Sequence, residues 1–404
     1  MSGDNVSVTV IDRHNYLLFY PLLVEAGTGS LEPRHATIPL RTFLDGCNFR
    51  MGDLTEVDTK ANTVTYQVAG DGDIITLPYD HLVVALGSVS NLPPVPGLTE
   101  WGWTMKSLRD AVGMRDRMVH MLEVADATTD PVERRRLLHV VVVGGNFTGV
   151  EVAGEYCEYV QEAAKHYPNI DPAEIRFTLV EISERILSAL DDETASYVTE
   201  TMKKRGIDFK LKNSVKEITE ETAVLADGTV LDTYTVVWCA GIASHPLVRK
   251  MGLPADKRGW LTCDDHGRVQ DFKNVWAVGD CAVNLDRDGK AHPPTAQSAI
   301  GEGRMVGANI ARALRGEATA PVYFKNKGSV TPLGGHNAVV NAGTKRFSGF
   351  CAWVIYRIFY LVRIPGFKRK VRVALDWFGA FITERDVVQI GIHKKRSTSN
   401  SKPV

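Results

Sequence analysis

No two of the six cysteines (Cys47, Cys157, Cys239, Cys263, Cys281 and Cys351) stand in a C-x-x-C or C-x4-C pair. That spacing supports neither a zinc ribbon nor an active-site dithiol. No uncharged apolar run reaches the roughly 18 residues of a transmembrane helix. No signal peptide is apparent, and scattered cysteines without one suit a reducing compartment. An excess of either charge is also lacking: 47 Lys and Arg face 48 Asp and Glu, for a net charge of −1. This argues against bulk nucleic-acid binding. There is no tandem repeat, and no cluster with metal-ligand spacing. What is present is 404 residues, 44% hydrophobic, enough for two or three domains with full cores.

The stretch from His139 to Glu181 is the most informative. Val140–Val143 is an apolar β-branched run, the pattern of a strand buried on both faces. Gly144, Gly145 and Gly149 turn the chain into a helix whose apolar face is Val150, Val152, Ala153, Tyr156 and Val160. A second strand, Arg176–Val180, ends at Glu181. Strand, glycine turn, helix and strand form the context of a dinucleotide fingerprint. The pyrophosphate then sits on the helix N-terminus, and Glu181 is placed for the ribose 2′-hydroxyl. A carboxylate there repels a 2′-phosphate, so NADH is expected rather than NADPH. Asn146 stands where the pattern asks for its middle glycine, and its side chain is expected to crowd the pyrophosphate approach. A doubly wound domain without nucleotide is the plain alternative.

Val6–Ile11 reads as a strand ending at Asp12, the place of a ribose-binding acid in a second strand. A first strand, glycine turn and helix, roughly 30 residues, are expected before it, with Gly3 and Asn5 at that helix's end. The start of the chain is therefore expected to lie upstream. His14–Arg41 suggests a loop and short helices covering a pocket. Val64–Val68 and Ile74–Leu77 flank a Gly-Asp-Gly-Asp turn, a hairpin signal. Tyr79–Gly87 reads as a buried strand ending in glycine. Later apolar strands end at Ala240-Gly241 and at Gly279-Asp280, and Pro293–Gly303 leads into another helix.

Residues 345–373 differ in kind. From Lys345 to Leu375 there are eight basic residues and no acid, interleaved with aromatic and aliphatic side chains. An interfacial helix pair on an anionic membrane surface fits this pattern. A helix covering the core, or a dimer interface, fits it as well. The tail from His393 reads as disordered.

Taken together, Val10–Tyr16 with Phe19 and Pro21–Leu23, Ala85–Gly87, Gly144–Glu151 with Glu181, Ala277–Asp280 and Ala296–Ala299 resemble the type II NADH:quinone oxidoreductases. The resemblance implies an α/β fold with two Rossmann-like domains, binding FAD and NAD as in flavoprotein disulfide reductases. A C-terminal amphipathic helical membrane-association segment completes it. The implied division is 1–115 for the first part of the FAD domain and 116–264 for the NADH domain. Residues 265–344 form the second FAD part, and 345–404 the membrane segment and basic tail. By resemblance, Asp12 and Asp280 bind FAD, with Gly87 and Gly279 beside it. Gly144, Gly145, Gly149, Glu181 and Gly241 hold NADH. Glu151 lies near the nicotinamide–flavin contact as a proton or charge relay; an acid favoured early in a helix is the simpler reading. Ala296, Gln297 and Ala299 match the start of the quinone motif A-Q-x-A-x-Q-x-G, with Gly301 in place of the second glutamine. Helix capping is the simpler reading of Gln297.

The implied activity passes a hydride from NADH to FAD and two electrons on to a membrane quinone, with no metal and no proton pumping. The implied location is peripheral, on the cytoplasmic face of a bacterial inner membrane rather than in mitochondria, with a homodimer open. Two other functions fit some residues: a flavin-free NAD-binding membrane protein, and a soluble FAD-dependent reductase of ferredoxin or rubredoxin.

Overall fold

The computed structural model describes residues 6–324, 328–343 and 345–391. The expected helix end at Gly3–Asn5 and the tail from His393 lie outside them. The chain folds as two units. One holds the described residues of Met1–Leu17, Ile38–Val89 and Ile242–Lys327; the other holds those of Leu18–Thr37, Ser90–Gly241 and Gly328–Val404. The boundaries expected at 115, 264 and 344 thus fall near 89, 241 and 327. Residues 18–37 and the C-terminal helices join the dinucleotide unit.

That unit is built on a five-stranded sheet in the order Ile207–Lys210, Arg176–Val180, His139–Val143, Thr235–Trp238, Gly102–Thr104. All of its pairings are parallel. The valine run of His139–Val143 is buried at every position, as a central strand with covered faces requires. The helix Phe147–Ala163 that follows it buries more than its expected stripe. Gly154, Glu155, Cys157, Glu158 and Tyr159 are buried as well. Strands lie under one side of it, and the short helix Leu23–Gly27, buried along its whole length, packs on another. His14–Arg41 therefore does not simply cover a pocket. Leu22, Leu23, Val24, Ala26 and Leu31 are core residues. The helix Leu108–Ala127 opens on a capping box between Ser107 and Asp110. The next helix opens on an Asp130 cap and Pro131, the break expected near Ala127–Asp130.

The other unit contains a four-stranded sheet, Thr9–Asp12, Asn48–Asp58, Thr63–Val68 and Ile74–Pro78. Its hairpin turns at Gly70–Asp73 as expected. The strand expected over Tyr79–Gly87 is only Leu82–Val84, and Val83 is 42% exposed. It pairs with Val275–Ala277 alone, and Thr9–Asp12 pairs with Asn48–Asp58 alone. Two open strand edges result among the described residues.

The C-terminal segment opens as a strand, Lys345–Ser348, paired with Asn337–Ala342. Two helices follow, Gly349–Arg363 and Phe367–Ile382, so the helical pair runs nine residues beyond Val373. One face of this segment packs on the core of its unit and another is exposed. Tyr356 is buried, and its hydroxyl donates to the Pro21 carbonyl (3.2 Å). On the outer face Phe367, Leu375, Phe378 and Ile382 are more than half exposed. No described helix is long and apolar enough to cross a membrane.

Candidate active site

The glycine turn is a close-packed device. Gly144 has φ +106°, and a Cβ there would stand 2.9 Å from the backbone of Ala240. A Cβ on Gly149 would stand 1.8 Å from the Gly144 carbonyl oxygen. One on Gly145 would press against Ile186 and the Glu181 carboxylate. These positions exclude side chains so that the helix start stays bare. Asn146 does not crowd it. Its φ of −78° is ordinary, and it is the helix N-cap: Oδ1 accepts from Gly149 N–H (3.1 Å) and Nδ2 donates to the Cys239 carbonyl (2.6 Å). Asn is among the favoured N-caps, which is the signal that a glycine pattern alone misses. The Phe147 and Thr148 N–H groups begin the helix with no intrahelical acceptor, aimed where an anion is favoured.

Glu181 ends its strand beside this turn. Oε2 accepts from Gly145 N–H (2.5 Å) and Oε1 from Ser183 N–H (2.8 Å). Each carboxylate oxygen keeps further lone-pair capacity, the acceptor set a ribose diol needs. Gly241, φ +84°, lies at the end of the adjacent strand, with its carbonyl taking Asn91 N–H (3.2 Å). The residues expected to hold NADH thus gather at one end of one sheet. Exchanging Glu181 for Ser with a nearby added Arg is expected to reverse a preference for NADH over NADPH. The shift is roughly 10–100-fold in kcat/KM, since a hydrogen bond to a charged group contributes about 1.5–3 kcal/mol. Equal use of both nucleotides by the unaltered protein would remove Glu181 from the ribose.

Glu151 stands in the first turns of the same helix, half-buried. Burial, then the Glu155 and Glu25 carboxylates, push its pKa up to about 8. Burial likewise lifts Glu155 to about 7, against the pull of Arg385. Glu155 is one helical turn beyond Glu151, on the same face. Glu25 is 1% exposed; Oε2 accepts from Trp377 Nε1–H (2.6 Å), while Oε1 has no partner. This carboxyl cluster was not legible as such, because Glu25 lies far off in sequence. Burial makes the acid form of Glu151 the majority species at neutral pH, which suits a proton donor.

In the other unit, Gly87 has φ +64° and nothing within 4 Å of where its Cβ would be. The Asp280 carboxylate accepts from Ser88 Oγ–H (2.8 Å). Gly279, φ +70°, lies against Ala299, and its N–H donates to Glu302 Oε2 (2.7 Å). The open backbone at Gly87 and the acceptor at Asp280 fit a polyhydroxyl chain such as the ribityl of FAD. Ala296 and Gln297 open the helix Ala296–Leu314, whose cap is Thr295, accepting from Ser298 N–H (3.2 Å). Gln297 is therefore not the cap. Sequence reasoning missed Glu302. Its carboxylate also accepts from Asn284 Nδ2 (3.0 Å) and meets His292 Nδ1 (2.7 Å), with both side chains 3% exposed. It fastens the Gly279–Asp280 turn to the helix. Asp12 keeps local company, accepting from His14 N–H (2.7 Å) at the exposed strand end.

All six cysteines are free. Burial holds the Cys157 and Cys239 thiols up to about 12 and Cys281 up to about 11, so they are protonated at neutral pH. No group of three or more metal-ligating side chains occurs among the described residues.

The family model for pyridine nucleotide-disulphide oxidoreductases matches residues 1–303. A probable NADH dehydrogenase of Dictyostelium discoideum is 31% identical over 389 residues, 94% of this chain and 85% of that protein. The chain belongs to the type II NADH:quinone oxidoreductase family. A family member of Mycobacterium tuberculosis, a type II NADH:quinone oxidoreductase, is 29% identical over 94% of this chain and 84% of that protein. The fold agrees: a Plasmodium falciparum NDH2 structure in complex with NADH superposes with TM-score 0.87 at 19% identity, covering 95% and 94% of the two chains. Family membership places the α/β architecture among the flavoprotein disulfide reductase-like folds.

Proposed function

We propose that this chain oxidises NADH and reduces a membrane quinone through bound FAD, without moving protons across the membrane. The observation that carries the reading is the pairing of a bare glycine turn with a raised-pKa acid, Glu151, on one helix. The first holds a dinucleotide and the second handles a proton. FAD supplies the chemistry of accepting a hydride and delivering two electrons. The chain supplies position. Gly144, Gly145, Gly149, Gly241 and Glu181 hold the NADH, while Gly87, Gly279, Asp280 and Asp12 hold the flavin's sugar and phosphate parts. Ala296 and Gln297 meet the quinone, and Glu151 holds or moves the proton that quinol formation needs. Two-substrate kinetics test the reading. Parallel double-reciprocal lines are expected as NADH is varied at several quinone concentrations. Intersecting lines would mean that both substrates must be bound at once.

One observation favours a second reading, an NAD-binding protein without flavin: among the described residues, the strand carrying Asp12 is paired on one side only. Flavin absorbance of the purified protein separates the two.

We also place the protein peripherally on a membrane, on the cytoplasmic face in a bacterium. The exposed faces of the two C-terminal helices and their basic residues support this. Removing the segment would be a poor test, because Tyr356 is a core residue. Substituting Phe367 and Phe378 together by Glu is expected to release the protein from anionic vesicles while NADH oxidation with a water-soluble acceptor stays within about twofold. Unchanged co-sedimentation would refute the anchor.

A further inference from the structure

A cavity of about 280 Å³ lies between the far end of the helix Phe147–Ala163 and the two C-terminal helices. Tyr159, Trp353, Arg357, Trp377 and Arg385 are among the residues that line it. It shares Trp353, Arg357, Trp377 and Phe381 with an apolar surface groove completed by Phe350, Val354, Ile358 and Phe378. Cavity and groove thus adjoin across shared side chains, with the charged residues in the cavity and an apolar lining in the groove.

Two guanidinium groups at its inner end, each beside carboxylates, keep unused donors. Arg385 reaches Glu158 (3.3 Å) through Nη2 and Glu162 (3.1 Å) through Nε, but its Nη1 is buried with no acceptor. Arg357 is flanked by the rings of Trp353 (4.7 Å) and Trp377 (4.4 Å). Its Nε and Nη1 also lack hydrogen-bond acceptors, and Glu25 stands 3.6 Å from Nη1. Buried guanidinium donors left unmatched are destabilising, and an anion relieves that cost. Of the carboxylates in the wall, Glu162 is paired with Arg385, which leaves Nη1 over, and Glu384 with His166 (3.3 Å). The outer end is apolar and open, with Ile358 58%, Phe378 64% and Phe381 58% exposed.

We propose that this feature binds a single anionic phospholipid, with its phosphate between Arg385 and Arg357 and an acyl chain along the groove. General attraction to a charged surface needs exposed cations and no cavity; here the donors are buried and an apolar groove adjoins them. The proposal rests on the membrane reading only for the source of the lipid, and it is tested without a membrane.

The full chain is titrated calorimetrically with monomeric dihexanoyl phosphatidylglycerol, dihexanoylglycerol and inorganic phosphate. Saturable one-to-one binding of the phospholipid is expected, at least tenfold tighter than either of the others. Arg385→Gln is expected to weaken it at least tenfold. Ala380→Phe, which fills the cavity and leaves every ion pair in place, is expected to do the same and covers the case in which Arg385→Gln does not fold. Equal binding of dihexanoylglycerol would overturn the phosphate site, and equal binding of inorganic phosphate would overturn the groove. Phospholipid binding unchanged by Ala380→Phe would overturn the location. Vesicle co-sedimentation, measured in parallel, reports the membrane reading separately. Retention on vesicles with no binding of the monomeric lipid refutes this site and leaves that reading standing.

Discussion

Glu151→Gln is expected to lower NADH:quinone turnover by roughly 10²–10⁴-fold, the usual worth of a positioned general acid or base. Glutamine keeps the size and polarity of the neutral acid, so the helix and its packing should survive. It cannot exchange a proton, so the loss falls on kcat rather than on NADH binding. The pH dependence carries the sign. Burial and the neighbouring Glu155 and Glu25 carboxylates raise the Glu151 pKa to about 8. Below that value the carboxyl is protonated and able to donate; above it the acid form is lost. Turnover of the unaltered protein should therefore fall as pH rises through about 8, and the Gln variant should lose that limb. The same shift bears on stability. A carboxyl whose pKa is higher folded than unfolded favours the folded state most at pH below its unfolded value of 4.5. That contribution declines as pH rises through about 8. Melting temperature should decline across that window, less steeply in Glu151→Gln. A turnover profile identical in both proteins would remove Glu151 from the proton path.

Gly149→Ala is expected to raise the KM for NADH by roughly 5- to 150-fold, corresponding to the 1–3 kcal/mol of forced overpacking. The added methyl would lie 1.8 Å from the Gly144 carbonyl oxygen, so the turn must open and its N–H groups lose their aim. Flavin content should not change, because Gly279, Asp280 and Gly87 belong to the other unit. Gly303→Ala is the control: it sits in the helix Ala296–Leu314 with nothing within 4 Å of its new methyl. Helix propensity alone favours that change by up to about 1 kcal/mol. NADH affinity that survives Gly149→Ala intact would mean that the nucleotide binds elsewhere.

The parts legible in the sequence were those set by local pattern. The valine strand, the turn after it and the strand ending at Glu181 could be placed because a buried parallel strand and a glycine turn each have a compact signature. The hairpin around Gly70–Asp73 and the break before Pro131 were legible for the same reason. What escaped depends on contacts distant in sequence. Nothing local tells that Glu25 is brought to the helix bearing Glu151 and Glu155. A helix buried nearly all round gives no periodicity to show which acids face inward. Tyr79–Gly87 looked like a full strand because its apolar residues are continuous, yet a strand needs partners, and among the described residues only Val275–Ala277 meets it. The second C-terminal helix ran past its expected end because Asp376 interrupts the basic run. In the fold that carboxylate takes His35 Nδ1 (2.5 Å) and the Glu32 N–H (3.2 Å), which is a packing role and not a break. Glu302 escaped because attention to a quinone motif directs the eye to Gln297 and away from the acid that anchors the neighbouring turn.

The central claim is that flavin connects NADH to quinone in this one chain. Its most direct measurement is made without oxygen, on the purified protein, in two additions. One equivalent of NADH should bleach the flavin's visible absorbance within the time of a single turnover. One equivalent of a short-chain quinone, added after removal of NAD+, should restore it. Flavin that stays oxidised in excess NADH, or that bleaches but is not restored by quinone, would contradict the account.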